Sequence, residues 1–202
     1  MLKAKKTKYG TKLLSGSALA FVTALFLAGC AWVPQKVTIA PKLQVPASNV
    51  GNGAKVVVKV LDTRPSLQIG YRGMDSKGAE ITIDQELAPI FQQKIIEGLT
   101  QQGFKATPSS QEPARVLKIE IRSLQYTTEM DFWKGLVRTK AAIQAYAKAN
   151  DIIYDELYVA ERTESAVEAP RAKTNAQLIN GVISDVLQRL LGDPKLVRVL
   201  TN

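Results

Sequence analysis

The segment RVLKIEIRSLQ, residues 115–125, sets Val116, Leu117, Ile119, Ile121 and Leu124 among Lys118, Glu120 and Arg122. Alternation with a period of two is the pattern of a strand with one buried and one wet face. Residues 136–148 continue it with Val137, Thr139, Ala141, Ile143, Ala145 and Ala147 on one side, and Asn150-Asp151 is a turn signal into a third such stretch, 152–160. Three consecutive strands joined by short turns predict an antiparallel meander. Upstream, residues 55–61 (KVVVKVL) are β-branched and apolar, as a buried central strand would be, and short strands are expected at 69–73 and 79–83.

At Asp84 the period changes. Leu87, Phe91, Ile95 and Leu99 recur every four residues, so a helix is expected up to Gln102, with Gly103 as its stop and Pro89 in or near its first turn. A second helix is expected to open at Thr174, with Gln177 at capping-box spacing. Its stripe comprises Ile179, Val182, Ile183, Val186, Leu187, Leu190 and Leu191. Asp193-Pro194 then starts a short final helix. The order predicts an α+β fold: a mostly antiparallel sheet with two amphipathic helices packed on one face.

The other end of the chain reads differently. Lys3, Lys5, Lys6, Lys8 and Lys12 precede an apolar run that ends in Leu27-Ala28-Gly29-Cys30, and Cys30 is the only cysteine. A basic leader, a short apolar core and small residues make a secretory signal. The run is shorter than the roughly 20 apolar residues of a spanning helix, and Ser15, Gly16, Ser17 and Thr23 interrupt it. Leu-Ala-Gly-Cys resembles the lipobox of bacterial lipoproteins. That resemblance implies cleavage between Gly29 and Cys30, a diacylglyceryl thioether on Cys30 and acylation of its amine, palmitate being the typical chain. Ala31 stands where Asp would signal inner-membrane retention, so the outer membrane is expected. The division expected is 1–29 leader, 30–53 anchor and tether, and 54–202 a single periplasmic-type domain. The tether is inferred from Pro34, Pro41 and Pro46 and the closing SNVGNG, although Val37, Ile39, Leu43 and Val45 alternate enough for an edge strand.

Charge follows the same division. The net charge of +9 over 202 residues falls to +4 without the five leader lysines, leaving 22 basic residues against 18 acidic ones. The basicity thus belongs to export, and no nucleic-acid partner is expected. There is no histidine. That excludes Ser-His-Asp and Cys-His catalysis and His-containing zinc sites. Paired carboxylates, Ser-Lys or an all-oxygen metal site stay open, but none has a recognisable spacing, so no enzyme, cofactor or metal is expected.

Three places carry candidate chemistry. Asp62 and Arg64 lie where a buried strand exits; Arg64 with Arg72 could meet an anionic ligand or partner, or Asp62 could cap the turn and pair with Arg64. Phe132 and Trp133 lie between two strands, either as an exposed partner contact or folded back on the core. Asp151, Asp155, Glu156, Glu161 and Glu164 form either a cation site or a solvated strand face.

Taken together, the leader with Cys30, the strand into Asp62-Thr63-Arg64, the helix ending in Gln102-Gly103-Phe104, the meander and the closing helix resemble the YajG-like lipoproteins of proteobacteria. The resemblance implies an envelope lipoprotein with no catalytic residues to carry over. The expected function is a non-catalytic binding or structural module, anchored in the outer membrane through lipid on Cys30 with its domain in the periplasm, and holding a protein or envelope component. The alternative is a carboxylate-dependent hydrolase of envelope glycans.

Overall fold

A computed structural model describes residues 33–72, 78–111, 115–130, 135–149, 152–166 and 170–202. The described elements are β1 (Gln35–Lys36), β2 (Lys55–Asp62), β3 (Gln68–Tyr71), β4 (Glu80–Thr82), α1 (Leu87–Gln101), β5 (Lys105–Thr107), β6 (Arg115–Met130), β7 (Gly135–Ala149), β8 (Ile152–Ala166), α2 (Ala172–Leu191) and α3 (Pro194–Thr201). The α+β class is as expected, and β6, β7 and β8 form the antiparallel meander.

The sheet as a whole is mixed, which corrects the mostly antiparallel expectation. The chain leaves β2, later crosses through α1 and returns in β5 beside it, and a helical crossover brings a strand back in the same direction. β2 accordingly runs parallel to β5 and to β6, β1 runs parallel to β4, and β3 touches β6 in parallel through Gly70 and Tyr126. β6 is the trunk. Its register with β7 shifts between Ile121 and Ser123, and along its other edge the first half pairs with β2 and the second half with β3. The sheet therefore forks into a β2-β5 branch and a β3-β4-β1 branch.

Register explains the shared core. Val58, Leu117, Ala147 and Tyr154 stand side by side across four strands, followed by Val60, Ile119 and Ala145. These residues meet the apolar stripes of α1, α2 and α3 in one cluster. The two long helices touch where Gly98 has no Cβ and a Leu191 methyl fills the space.

Helix ends follow local chemistry with one exception. Pro89 sits in the first turn of α1, where a missing N–H costs nothing. At the other end Phe104 N–H donates to Leu99 O at 3.0 Å and Gly103 N–H to Thr100 O at 3.0 Å, with Gly103 at φ 86, a Schellman stop. Asp193 caps α3 and Pro194 follows it. The exception is the start of α2, at Ala172 rather than Thr174; like α1, it has no side-chain cap. Its first turn is held from outside instead: the Gln35 amide donates to Ala172 O at 2.8 Å.

That contact belongs to a buried polar chain. The Tyr126 hydroxyl donates to Asn175 Oδ1 at 2.7 Å, and Asn175 Nδ2 donates to Gln35 Oε1 at 2.9 Å. Burial pushes the Tyr126 phenol up to about 12, so it remains a donor at any physiological pH. Asn175→Leu would strand the Tyr126 hydroxyl and the Gln35 carbonyl in the core, and we expect it to cost about 2 kcal/mol in denaturant melts. An unchanged midpoint would show that the chain contributes nothing to stability.

Residues 35–53, expected as a tether, are laid on the domain. Val37 and Ile39 are 3% exposed, and Leu43 and Val45 pack against the same core. The backbone is tied down along its length. Ile39 N–H donates to Gln85 at 2.5 Å, Ala40 N–H to Asn180 Oδ1 at 2.6 Å, and Lys42 N–H to Ser184 Oγ at 3.1 Å. Ser48 and Gly51 N–H groups donate to Gln101 and Gln102 carbonyls at 2.9 and 2.8 Å. This strap runs along α2 from its first turn to Ser184, with only β1 engaged as a strand at the sheet edge.

Candidate functional site

Gly29, Cys30, Phe132 and Trp133 lie outside the described residues, as does Asp151. Arg64 and Arg72 are described, and Arg64 is not a free surface cation. The Arg64 side chain is 3% exposed and forms a bidentate pair with Asp62, Nε to Oδ1 at 2.9 Å and Nη2 to Oδ2 at 2.7 Å. Asp62 also accepts the Arg64 backbone N–H at 3.2 Å, so it serves as turn cap and counter-ion together. Burial pushes the Asp62 carboxyl up, and the Arg64 hydrogen bonds more than offset this, holding it below the usual carboxylate range. Arg72 is tied through its backbone N–H to Ala79 O at 2.6 Å, and its Nε is buried without a hydrogen-bond partner.

Arg64 forms one wall of a cleft of about 370 Å³ at the fork of the sheet, with Ser66, Gln68, Tyr71, Ser123 and Gln125 around it. The cleft lies where one edge of β6 passes from β2, paired up to Ile121, to β3, paired at Tyr126. Arg64 Nη1 is buried and lacks a partner. The arrangement supplies hydrogen-bond donors without any nucleophile poised beside a base.

The acidic residues of β8 are dispersed by the pleat. Glu161 pairs with Arg138 at 3.1 Å, and Asp155 accepts from the Gln144 amide. No group of three or more candidate metal ligands occurs among the described residues. The sheet face away from the helices is instead a mixed surface. Glu120 is held below its usual range, first by the Lys118 hydrogen bond at 2.6 Å, with burial opposing and Arg122 assisting. Lys118 Nζ lies 5.4 Å from the centre of the Tyr146 ring, and Val116, Ile153 and Leu157 are exposed on the same face. Alternation on β6 and β8 could have revealed this face. Its apolar content comes from Ile153 and Leu157, which β7 register places opposite Lys148 and Gln144.

A cluster that sequence reading missed sits on the covered face. Tyr154 and Tyr158, four residues apart on β8, both donate to Asp193 Oδ2, at 2.6 and 2.7 Å, while their hydroxyls are 2.5 Å apart. Asp193 Oδ1 accepts the Lys195 N–H at 2.7 Å. Burial and the neighbouring carboxylate push both phenols up, Tyr154 to about 12. The Asp193-Pro194 signal marked only a helix start; nothing local to it points to residues on β8.

Among the described residues no helix is long and apolar enough to cross a membrane. A comparison with curated proteins finds no match. Solved structures give distant likenesses. One is an uncharacterised protein, 12% identical, covering 79% of this chain and 100% of its own, TM-score 0.44. A second is assigned as a neuraminyllactose-binding hemagglutinin homologue from Helicobacter pylori, 8% identical, covering 81% and 95%, TM-score 0.46. A third is the lipoprotein GNA1162 of Neisseria meningitidis, 13% identical, covering 70% and 99%, TM-score 0.26. A family model described as "Uncharacterized lipoprotein" matches residues 41–201. By that match the chain belongs to a family of uncharacterised lipoproteins, membrane-anchored proteins of the bacterial envelope, in agreement with its YajG-like resemblance.

Proposed function

We propose that the protein is an outer-membrane lipoprotein, anchored through lipid on Cys30 with its domain in the periplasm, and that it works as a non-catalytic binding module. The observation that carries the anchor is the placement of the sole cysteine at the end of a basic, apolar, small-residue leader in a chain of a lipoprotein family. One diacylglyceryl group brings two acyl chains, enough for stable attachment at about 0.8 kcal/mol per buried CH₂. The leader 1–29 is removed and residues 54–202, with the strap folded onto them, act as one domain.

The binding reading rests on the absence of histidine and on the uncovered sheet face. Val116, Tyr146, Ile153 and Leu157 give that face apolar and aromatic ground among paired charges, which suits a protein or envelope component better than a small polar substrate. In this reading Phe132 and Trp133, which fall between β6 and β7 in the sequence, are further partner contacts, while Arg64 is engaged with Asp62. Among the described residues the carboxylates that shift, Asp62, Glu97, Glu120, Asp185 and Asp193, move down. A glycan hydrolase needs the reverse in one of two acids, a carboxyl kept protonated near neutrality.

Cys30→Ser is expected to shift the protein from the membrane to the soluble envelope fraction and to abolish the lipid mass on the mature N-terminus. An intact Met1 leader on the cellular wild-type protein would sink the anchor. Lipid-free protein from residue 31 onward is expected to release no product from peptidoglycan or other envelope glycans. Cleavage abolished by replacing a pair of acids would install the hydrolase reading instead.

A further inference from the structure

We infer that the domain is seated directly on the bilayer, with the strap and the exposed side of α2 facing anionic phospholipid headgroups. The inference rests on the Cys30 anchor and asks what that anchor does to the folded part. Only five residue steps separate Cys30 from Gln35, a reach of at most about 18 Å for fully extended chain. Gln35 is already fixed: its side chain bonds Ala172 O and Asn175 within the first turn of α2. No free tether remains to lift the domain away. The start of α2 is held within a short radius of the lipid.

The strap and the first turns of α2 carry only basic charged side chains, and the acidic neighbour Asp84 is paired with Lys36 of the strap at 2.5 Å. Residues 33–61 and 171–184 contain no Asp or Glu. Lys42, Lys173 and Arg171 are exposed and form no ion pair among the described residues. Lys42 and Lys173 line opposite ends of a shallow groove of about 390 Å³ between strap and helix, floored by Ala40, Ala176 and Gln177. Cations within a Debye length of an anionic leaflet are attracted to it, and the anchor supplies that proximity. The uncovered sheet face, with Ile153 on the side of β8 opposite Tyr154 and the helices, then points away from the lipid.

The test uses full chain, matured and lipidated in a bacterial host, in vesicles of zwitterionic phospholipid with or without a minority of anionic phospholipid. Gln177→Cys and Ile153→Cys each provide one free thiol for a fluorescent donor, and the vesicles carry an acceptor on lipid headgroups. Quenching at position 177 is expected to exceed that at 153 about twofold or more, since packed layers of roughly 10 Å each separate them. The excess should grow with anionic lipid. It should shrink when a Gly/Ser linker is inserted before Pro34, and the anionic-lipid increment should vanish in the Lys42→Gln, Lys173→Gln, Arg171→Gln triple variant. Protein that floats with vesicles but shows equal quenching at both positions overturns the seat and leaves the anchor standing. A triple variant that keeps the full anionic-lipid increment overturns the cationic surface. Wild type that fails to float overturns the anchor, and the seat with it.

Discussion

Gly70→Ala is expected to lower the stability of the domain by about 3 kcal/mol, the upper end of what overpacking costs. A Cβ at position 70 would lie 1.9 Å from the Tyr126 carbonyl oxygen and 2.9 Å from its carbon. Both are backbone atoms of the trunk strand, so relief requires moving β6 or letting β3 go. Gly70 opposite Tyr126 is also the registered contact between β3 and β6. The sheet pairing of the β3-β4-β1 branch with β6 therefore passes through a position that admits no side chain. Gly98→Ala is the control: its Cβ would meet a Leu191 methyl at 2.4 Å, the movable end of a side chain. Alanine's better helix propensity, about 0.8–1 kcal/mol, offsets part of that crowding. Equal denaturant midpoints for Gly70→Ala and wild type would rule out the close approach.

The second large effect is expected at Asp193, where alanine should cost about 3 kcal/mol. Losing the cap of α3 accounts for about 1 kcal/mol. The remainder comes from leaving the Tyr154 and Tyr158 hydroxyls without their shared acceptor in a mostly buried site, at roughly 1–3 kcal/mol for each group left unsatisfied. Asp193→Asn, which keeps an acceptor oxygen, should cost less. The pH dependence has a definite sign. Burial pushes the Asp193 carboxyl up, but hydrogen bonds from both tyrosines and from the Lys195 and Leu196 amides outweigh it, so its folded pKa lies below 3.8. A depressed folded pKa adds stability that is complete above the unfolded value and is lost as pH falls through the folded one. Wild type should therefore lose its advantage over Asp193→Ala below about pH 4. At the alkaline end Tyr154 titrates from 10 in the unfolded chain to about 12 in the fold. Stability should then decline as pH rises past 10, less so in Tyr154→Phe. A constant stability difference between wild type and Asp193→Ala from pH 7 down to acid unfolding would contradict this account.

These two sites also show where sequence reading stops. The meander, the stripes of α1 and α2, Gly103 as a stop and Asp193-Pro194 as a start were legible because each is written within one or two turns or strands. Strand direction was not, since alternation is the same read either way and the decisive β5 is three residues long. The strap was half legible. The alternation of Val37 and Ile39 was visible, but prolines and SNVGNG said loop, and the partners that hold the segment lie on α2, beside β4 and at the end of α1. Asn175 looked like an ordinary polar residue in a helix, because its partners Tyr126 and Gln35 are distant in sequence. Buried polar contacts of this kind are properties of the assembled fold.

If the chain is exported through its leader as proposed above, the strap has a consequence for the order of events. The Ala40 and Lys42 N–H groups donate to side chains 140 and 142 positions later in the chain. A chain that crosses the inner membrane amino end first brings out the strap long before Asn180 and Ser184 arrive. Closing so long a loop is slow, and until it closes the apolar Val37 and Ile39 have no helix to lie on. The first segment to emerge is thus among the last to find its place, and it needs shielding from its surroundings until the carboxyl-terminal helices have emerged.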